Sequence, residues 1–77
     1  MQTLPVASMK DVGTLRAAIL GRWVNLIFID TRMFTKPCKV LDVSEAKGVF
    51  GQGKYRLKLE DVDKTFLVDE TSTIEVF

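Results

Sequence analysis

Lys54, Arg56 and Lys58 alternate with Tyr55, Leu57 and Leu59. On an extended chain that spacing puts the cations on one face and the apolar groups on the other. A cationic row of this kind can hold phosphates without regard to base sequence, and Tyr55 or Phe50 beside it could stack a base. Arg32, Lys36 and Lys39 are further cations that a bent neighbouring strand could bring close. The plain reading of the same row is a solvent-facing strand kept soluble by charge. Other chemistry finds little footing. Residues 48–54, Gly-Val-Phe-Gly-Gln-Gly-Lys, fit the GxxxxGK spacing of a phosphate loop, but Tyr55 stands where a magnesium-binding hydroxyl is required. Residues 54–60 alternate like a strand instead of opening a helix whose N-terminus would face the phosphates.

Histidine is absent and Cys38 is the single cysteine, so one chain assembles neither a zinc site nor a Ser/His or Cys/His nucleophile. The carboxylate pairs Asp61/Asp63 and Asp69/Glu70 fall in turn-like segments, where solvated loop acids are the ordinary explanation. Cys38 has the parity of an apolar core residue, and core cysteines are generally inert. The expectation is a binding or structural protein that is not an enzyme and needs no metal or cofactor.

Charge is divided along the chain. Up to Lys58 there are ten basic residues against four acidic ones; from Leu59 onward there are six acidic residues and Lys64 alone. A closed fold would turn this division into a basic and an acidic face, suited to a polyanion or to head-to-tail contacts between copies; two ordinary solvated faces are the alternative. A single domain of 77 residues buries only about 60% of the surface its unfolded chain exposes. With no internal disulfide to help, self-association is the expected stabiliser. Residues 1–8 lack a positive start and a long apolar run, and no segment has the length of a membrane helix. A soluble, cytoplasmic protein is expected.

These residues must be positioned by elements that the periodicity outlines. Residues 1–7 read as an arm, with Pro5 opposing regular structure. Ser8-Met9-Lys10-Asp11 has the form of a capping box and predicts a helix over residues 9–20, with Val12, Leu15, Ala18 and Ile19 as its apolar stripe and Gly21 as a left-handed stop. The run 23–29 is apolar except for Asn25 and reads as a central strand, with Val24, Leu26 and Phe28 on one face and Trp23, Ile27 and Ile29 on the other, each face needing a cover. Asp30-Thr31-Arg32 reads as a turn. The next strand spans 33–43, and in it Pro37, having no amide to donate, predicts a bulge or an unpaired edge. Residues 44–53 read as a loop, 54–60 as a half-buried strand, 61–64 as a turn, 65–68 as a strand, 69–72 as a tight connection and 73–77 as a last, edge strand. The class is therefore α+β and mostly β: an N-terminal helix, then a strongly bent five-stranded antiparallel sheet that nearly closes into a barrel.

The pattern Gly21-Arg22-x-Val24-x-Leu26-x-Phe28-x-Asp30-x-Arg32-x-Phe34, with Asp42 twelve residues after Asp30, resembles the first sequence motif of the Sm and Sm-like proteins. Residues 66–76 are similar in shape to the second motif of that family, two short strands joined by a tight turn. The resemblance implies a short helix before a small SH3-like barrel of five strands, and assembly into a ring. It also marks departures. Ala46 stands where the family has an asparagine that reads a uracil edge, and Glu70-Thr71, or Asp69-Glu70 in a shifted alignment, replaces an Arg-Gly pair that helps hold the nucleotide. Lys36 and Val40 replace small residues that let the second strand bend, and Thr31 replaces a turn glycine.

Two functions are expected on these grounds. In the first, a homo-oligomeric ring binds RNA weakly and without base selectivity through Lys54, Arg56, Lys58, Tyr55, Arg32 and Lys36. In the second, the ring is an adaptor for a protein partner and the uridine pocket has been lost. In both, neighbouring copies join by strand pairing, with Phe66, Val68, Ile74 and Val76 as the interface residues, because an apolar edge over 73–77 is hard to leave exposed.

Overall fold

The computed structural model describes residues 1–46 and 55–77. In chain order it contains β1 (Gln2–Pro5), a 3₁₀ turn (Val6–Ser8), α1 (Val12–Ile19), β2 (Trp23–Phe28), β3 (Thr31–Arg32), β4 (Cys38–Glu45), β5 (Tyr55–Leu59), β6 (Thr65–Val68) and β7 (Ser72–Val76). All seven strands join one antiparallel sheet in the order β1-β7-β2-β4-β5-β6, with β3 beside β2. The sheet is not closed: β1 and β6 end it. The mostly β class with a helix expected from the periodicity is present, with seven strands among the described residues in place of five. The two additional strands are β1, where the sequence suggests an arm, and β3, where it suggests a turn.

The helix is shorter than the expected residues 9–20, spanning only Val12–Ile19, which holds the whole apolar stripe. Its N-cap is Asp11, whose carboxylate accepts from the Thr14 amide at 2.7 Å and the Thr14 hydroxyl at 2.9 Å. Ser8 belongs instead to the 3₁₀ turn, where its hydroxyl donates to the Pro5 carbonyl. With the Ser8 hydroxyl spent on the Pro5 carbonyl, the Asp11 carboxylate is the side chain that reaches a free amide of the first turn, and the helix starts after it. At the other end Gly21 has φ +76°, as a left-handed stop requires, and a side chain there would meet nothing within 4 Å; the constraint is conformational, not steric. Leu15 and Ile19 are fully buried and bring α1 onto the core made by Val24, Leu26, Val40, Val43, Tyr55, Leu57, Leu59, Val68, Ile74 and Val76.

β2 organises the sheet, pairing with β7 on one side and with β3 and β4 on the other. The β2–β3 connection is a two-residue turn at Ile29 and Asp30, both with positive φ, so Thr31 and Arg32 extend a hairpin where the sequence suggests only a turn. The partner strand then leaves the ladder. Leu26 still accepts from the Met33 amide and Val24 pairs with Cys38, so Asn25 alone faces residues 34–37. The excursion falls where Pro37 demands a bulge. Asn25 is buried and spans the gap, its amide donating to the Phe34 carbonyl at 2.7 Å and its side-chain oxygen accepting from the Phe34 amide at 3.1 Å. A second break, between Val40 and Asp42, leaves Leu41 unpaired and exposed. The outer face of β2 has no full cover: Trp23 is exposed, Ile27 half-buried and only Asn25 deeply buried, while Ile29, expected on this face, is exposed in the turn beyond the strand.

The turn before β7 is held by Asp69, whose carboxylate accepts from the Thr71 amide and hydroxyl and from the Ser72 hydroxyl. This is the carboxylate-capped turn that Asp at its first position favours. No helix of the described residues is long and apolar enough to cross a membrane.

Replacing Asn25 with Ala should reduce the unfolding free energy by about 1–3 kcal/mol, read as a lower urea midpoint at unchanged slope, because it strands the Phe34 amide and carbonyl. Asp11 and Asp69 generate a pH prediction. Both carboxyls are held below the ordinary aspartate value, Asp11 chiefly by the Thr14 amide and then its hydroxyl, Asp69 chiefly by the Thr71 hydroxyl and then its amide. A lowered folded-state value adds stability that is complete above the unfolded value, about 3.9, and is lost as pH falls through the folded one. The Asp11→Asn/Asp69→Asn variant, which retains both acceptors, should therefore lose less stability than the parent between pH 6 and pH 3 in urea titrations.

Candidate nucleic-acid interface

β5 alternates without exception: Tyr55, Leu57 and Leu59 are buried, Arg56 and Lys58 exposed. Its neighbours fix the surroundings of each cation. Arg56 lies between Ser44 of β4 and Leu67 of β6; Lys58 lies between Asp42 of β4 and Thr65 of β6. Asp42 is already engaged by Arg16, whose guanidinium lies 3.1 Å from its carboxylate and also donates to the Val43 carbonyl at 3.0 Å. The outer surface of β4 and β5 thus carries Arg16, Arg56 and Lys58 against Asp42. Arg16 belongs to this group, and only the fold reveals it, since it arrives from the helix. Half-exposed ion pairs contribute little to stability, so the potential of this surface matters more than the Arg16–Asp42 bond itself.

The remaining residues of the expected site are distributed differently. Lys54 and Phe50 lie outside the described residues. Tyr55 is only 2% exposed and packs into the core, so it offers no face to a base; the alternation that exposes its neighbours turns it inward. Arg32 and Lys36 are exposed but stand on the β2 side of the sheet, with β4 between β2 and β5. Arg32 is committed to Glu75: its guanidinium donates to one carboxylate oxygen at 2.9 Å. Glu75 is 5% exposed, and its other oxygen has no hydrogen-bond partner among the described residues. Lys36 reaches solvent from the 34–37 excursion, and its carbonyl lies 3.8 Å from the Cys38 sulfur. Cys38 itself is half-buried against the core.

The side chains expected at an interface between copies are core residues. Phe66, Val68, Ile74 and Val76 are all buried within one chain. Phe66 also meets Phe34 edge-on, with ring centroids 5.4 Å apart, and Lys64 sits 5.4 Å from the centre of the same ring. Nor is β7 an edge: β1 pairs with it on one side and β2 on the other. The sequence conceals this because a four-residue strand ending in proline leaves almost no periodicity to detect, so residues 1–7 resemble an arm. Ala46, just after β4, offers only a methyl group at the position where the Sm-like pattern has an asparagine. Asp69 is absorbed by its own turn. Compared with models of protein families, with curated proteins and with solved structures, the chain has no significant match in any of the three.

Removing the Arg32 guanidinium leaves a buried carboxylate without its charge partner. Arg32→Ala should destabilise the fold by about 1–3 kcal/mol at pH 7, whereas Glu75→Gln should cost less and should relieve most of the loss when combined with it. Urea unfolding of the two single variants and the double variant measures this coupling; strictly additive losses would deny it.

Proposed function

We propose that this chain is an Sm-like small-barrel protein that assembles with copies of itself into a ring and binds RNA without base selectivity, through phosphate contacts on the outer face of β5. It acts by binding, not by catalysis. The observation that carries the reading is the exposure of Arg56 and Lys58 beside Arg16 on one sheet surface, while the apolar residues between them are buried. Support for the family comes from the motif pattern and from the sequence of elements: a short helix, then antiparallel strands among which β2 pairs with β7 and with β4. Base selectivity has little to rest on, since Ala46 cannot hydrogen-bond a base edge and Glu70 would repel a phosphate.

Assembly in this reading runs through the two ends of the sheet. β6 and β1 are the edges still available, and joining β6 of one copy to β1 of the next is a head-to-tail contact that closes into a ring if the rotation permits. An adaptor for a protein partner is the second reading. It is favoured by Asp42, which lies directly opposite Lys58 and offsets part of the positive surface. In either case the protein is expected in the cytoplasm.

Exchanging Lys54, Arg56 and Lys58 for Gln should abolish RNA binding in a gel shift at low salt without changing stability by more than about 0.5 kcal/mol, since exposed charges contribute little to the fold. Light scattering should give a multiple of the chain mass at micromolar concentration. Full binding by the triple variant would misplace the site, a monomer mass would remove the ring, and no binding of the parent chain to any RNA would leave the adaptor.

A further inference from the structure

Trp23 is the only tryptophan of the chain, and it is 51% exposed on the outer face of β2. The core does not need it, because Val24 and Leu26 are fully buried and fill the inner side of the strand. Its surroundings are cationic. Lys39 is its cross-strand partner on β4, and exposed Arg22 precedes it. Phe77 donates its amide to the Trp23 carbonyl at 2.8 Å and is itself exposed, which adds a second aromatic ring to this end of the sheet. Glu75 is buried and paired with Arg32, leaving Glu60, whose amide donates to the Lys39 carbonyl, as the exposed carboxylate on the adjoining strand.

A half-exposed indole anchored on a strand and flanked by two cations has the composition of a stacking platform: every base has a π-face for the ring, and the cations suit the phosphates on either side. We propose that Trp23 stacks a base of single-stranded RNA, with Arg22 and Lys39 holding the adjoining phosphates. The proposal rests on the reading that the chain binds RNA, and it supplies the aromatic contact that buried Tyr55 cannot. The path from this platform to Lys58 runs along β4, past exposed Leu41 at the break in its pairing. A strand of RNA lying along that path would meet the indole first, then Asp42, whose charge Arg16 offsets, and the β5 cations beside it.

Because there is one tryptophan, its fluorescence reports on this site alone. The full chain is titrated at low salt with fluorescein-labelled oligouridine and oligoadenine, following RNA anisotropy and, with unlabelled RNA, tryptophan emission. Quenching that saturates with the anisotropy is expected for both RNAs. Trp23→Ala should weaken binding about 5- to 100-fold, the range of one lost base stack, while Trp23→Phe should retain most of it. RNA that binds with no change in emission, and equally well to Trp23→Ala, would overturn the platform and leave the phosphate reading standing. Absence of any anisotropy change would overturn both. An emission change that tracks protein concentration without RNA, together with a lower mass for Trp23→Ala, would overturn the proposal by assigning the indole to a contact between copies.

Discussion

The double hydrogen bond from the Asn25 side chain to the Phe34 backbone is the interaction on which the rest of the sheet depends. β2 joins β7 to β3 and β4, and its ladder with β3 and β4 is broken where the partner strand takes four residues, 34–37, to pass Asn25. Buried backbone groups in such a gap need other partners, and a donor and an acceptor on one short, buried amide supply both. An apolar residue at position 25 would suit the surrounding run better by hydropathy and would leave the gap open. With the gap held, the Phe34 ring can reach Phe66 on edge strand β6, while the β2–β3 hairpin holds Arg32 within reach of Glu75 on β7. One polar residue in an otherwise apolar strand thus holds the segment that carries Phe34 to edge strand β6.

The second constraint is the placement of β1. By pairing with β7 it turns the last strand from an edge into an interior strand, which is why Ile74 and Val76 can be fully committed to the core. Edges are where sheets recruit partners, so covering β7 from within the chain shifts any strand-mediated assembly to β6 and to β1 itself. β1 is largely exposed and ends at Pro5, whose missing amide limits what can pair beyond it.

Much of this is legible in the residue pattern, for reasons that differ by element. The alternation of β5 is strict because one face is core and the other solvent, so its parity alone assigns every side chain there to the correct face. That includes Tyr55, whose aromatic ring suggests a base stack while its parity points inward. The break at Pro37 and the stop at Gly21 are readable because each residue has a single backbone property that dictates its use. The helix start is ambiguous in sequence because Ser8 and Asp11 are both good caps, and only the three-dimensional course of the chain decides between them. β1 and β3 escape sequence reasoning because four- and two-residue strands are made by their partners' ladders, not by their own periodicity. Arg16 enters the candidate site through packing that no spacing along the chain encodes, whereas Tyr55 leaves it by the alternation itself.

The functional account stands on the charge of one sheet surface: Arg16, Arg56 and Lys58 exposed together, with Asp42 as the counterweight. Such a surface attracts phosphates by releasing counterions, and stacking on an exposed ring adds affinity that does not depend on which base is present. The most direct measurement is the affinity for oligouridine and oligoadenine RNA as a function of salt. The account predicts similar affinities for the two and a log–log slope of roughly −2 or steeper, about −0.7 for each phosphate held by Arg16, Arg56 and Lys58 on a single strand, with Arg22 and Lys39 adding to it. Uridine-selective binding that is insensitive to salt would contradict it.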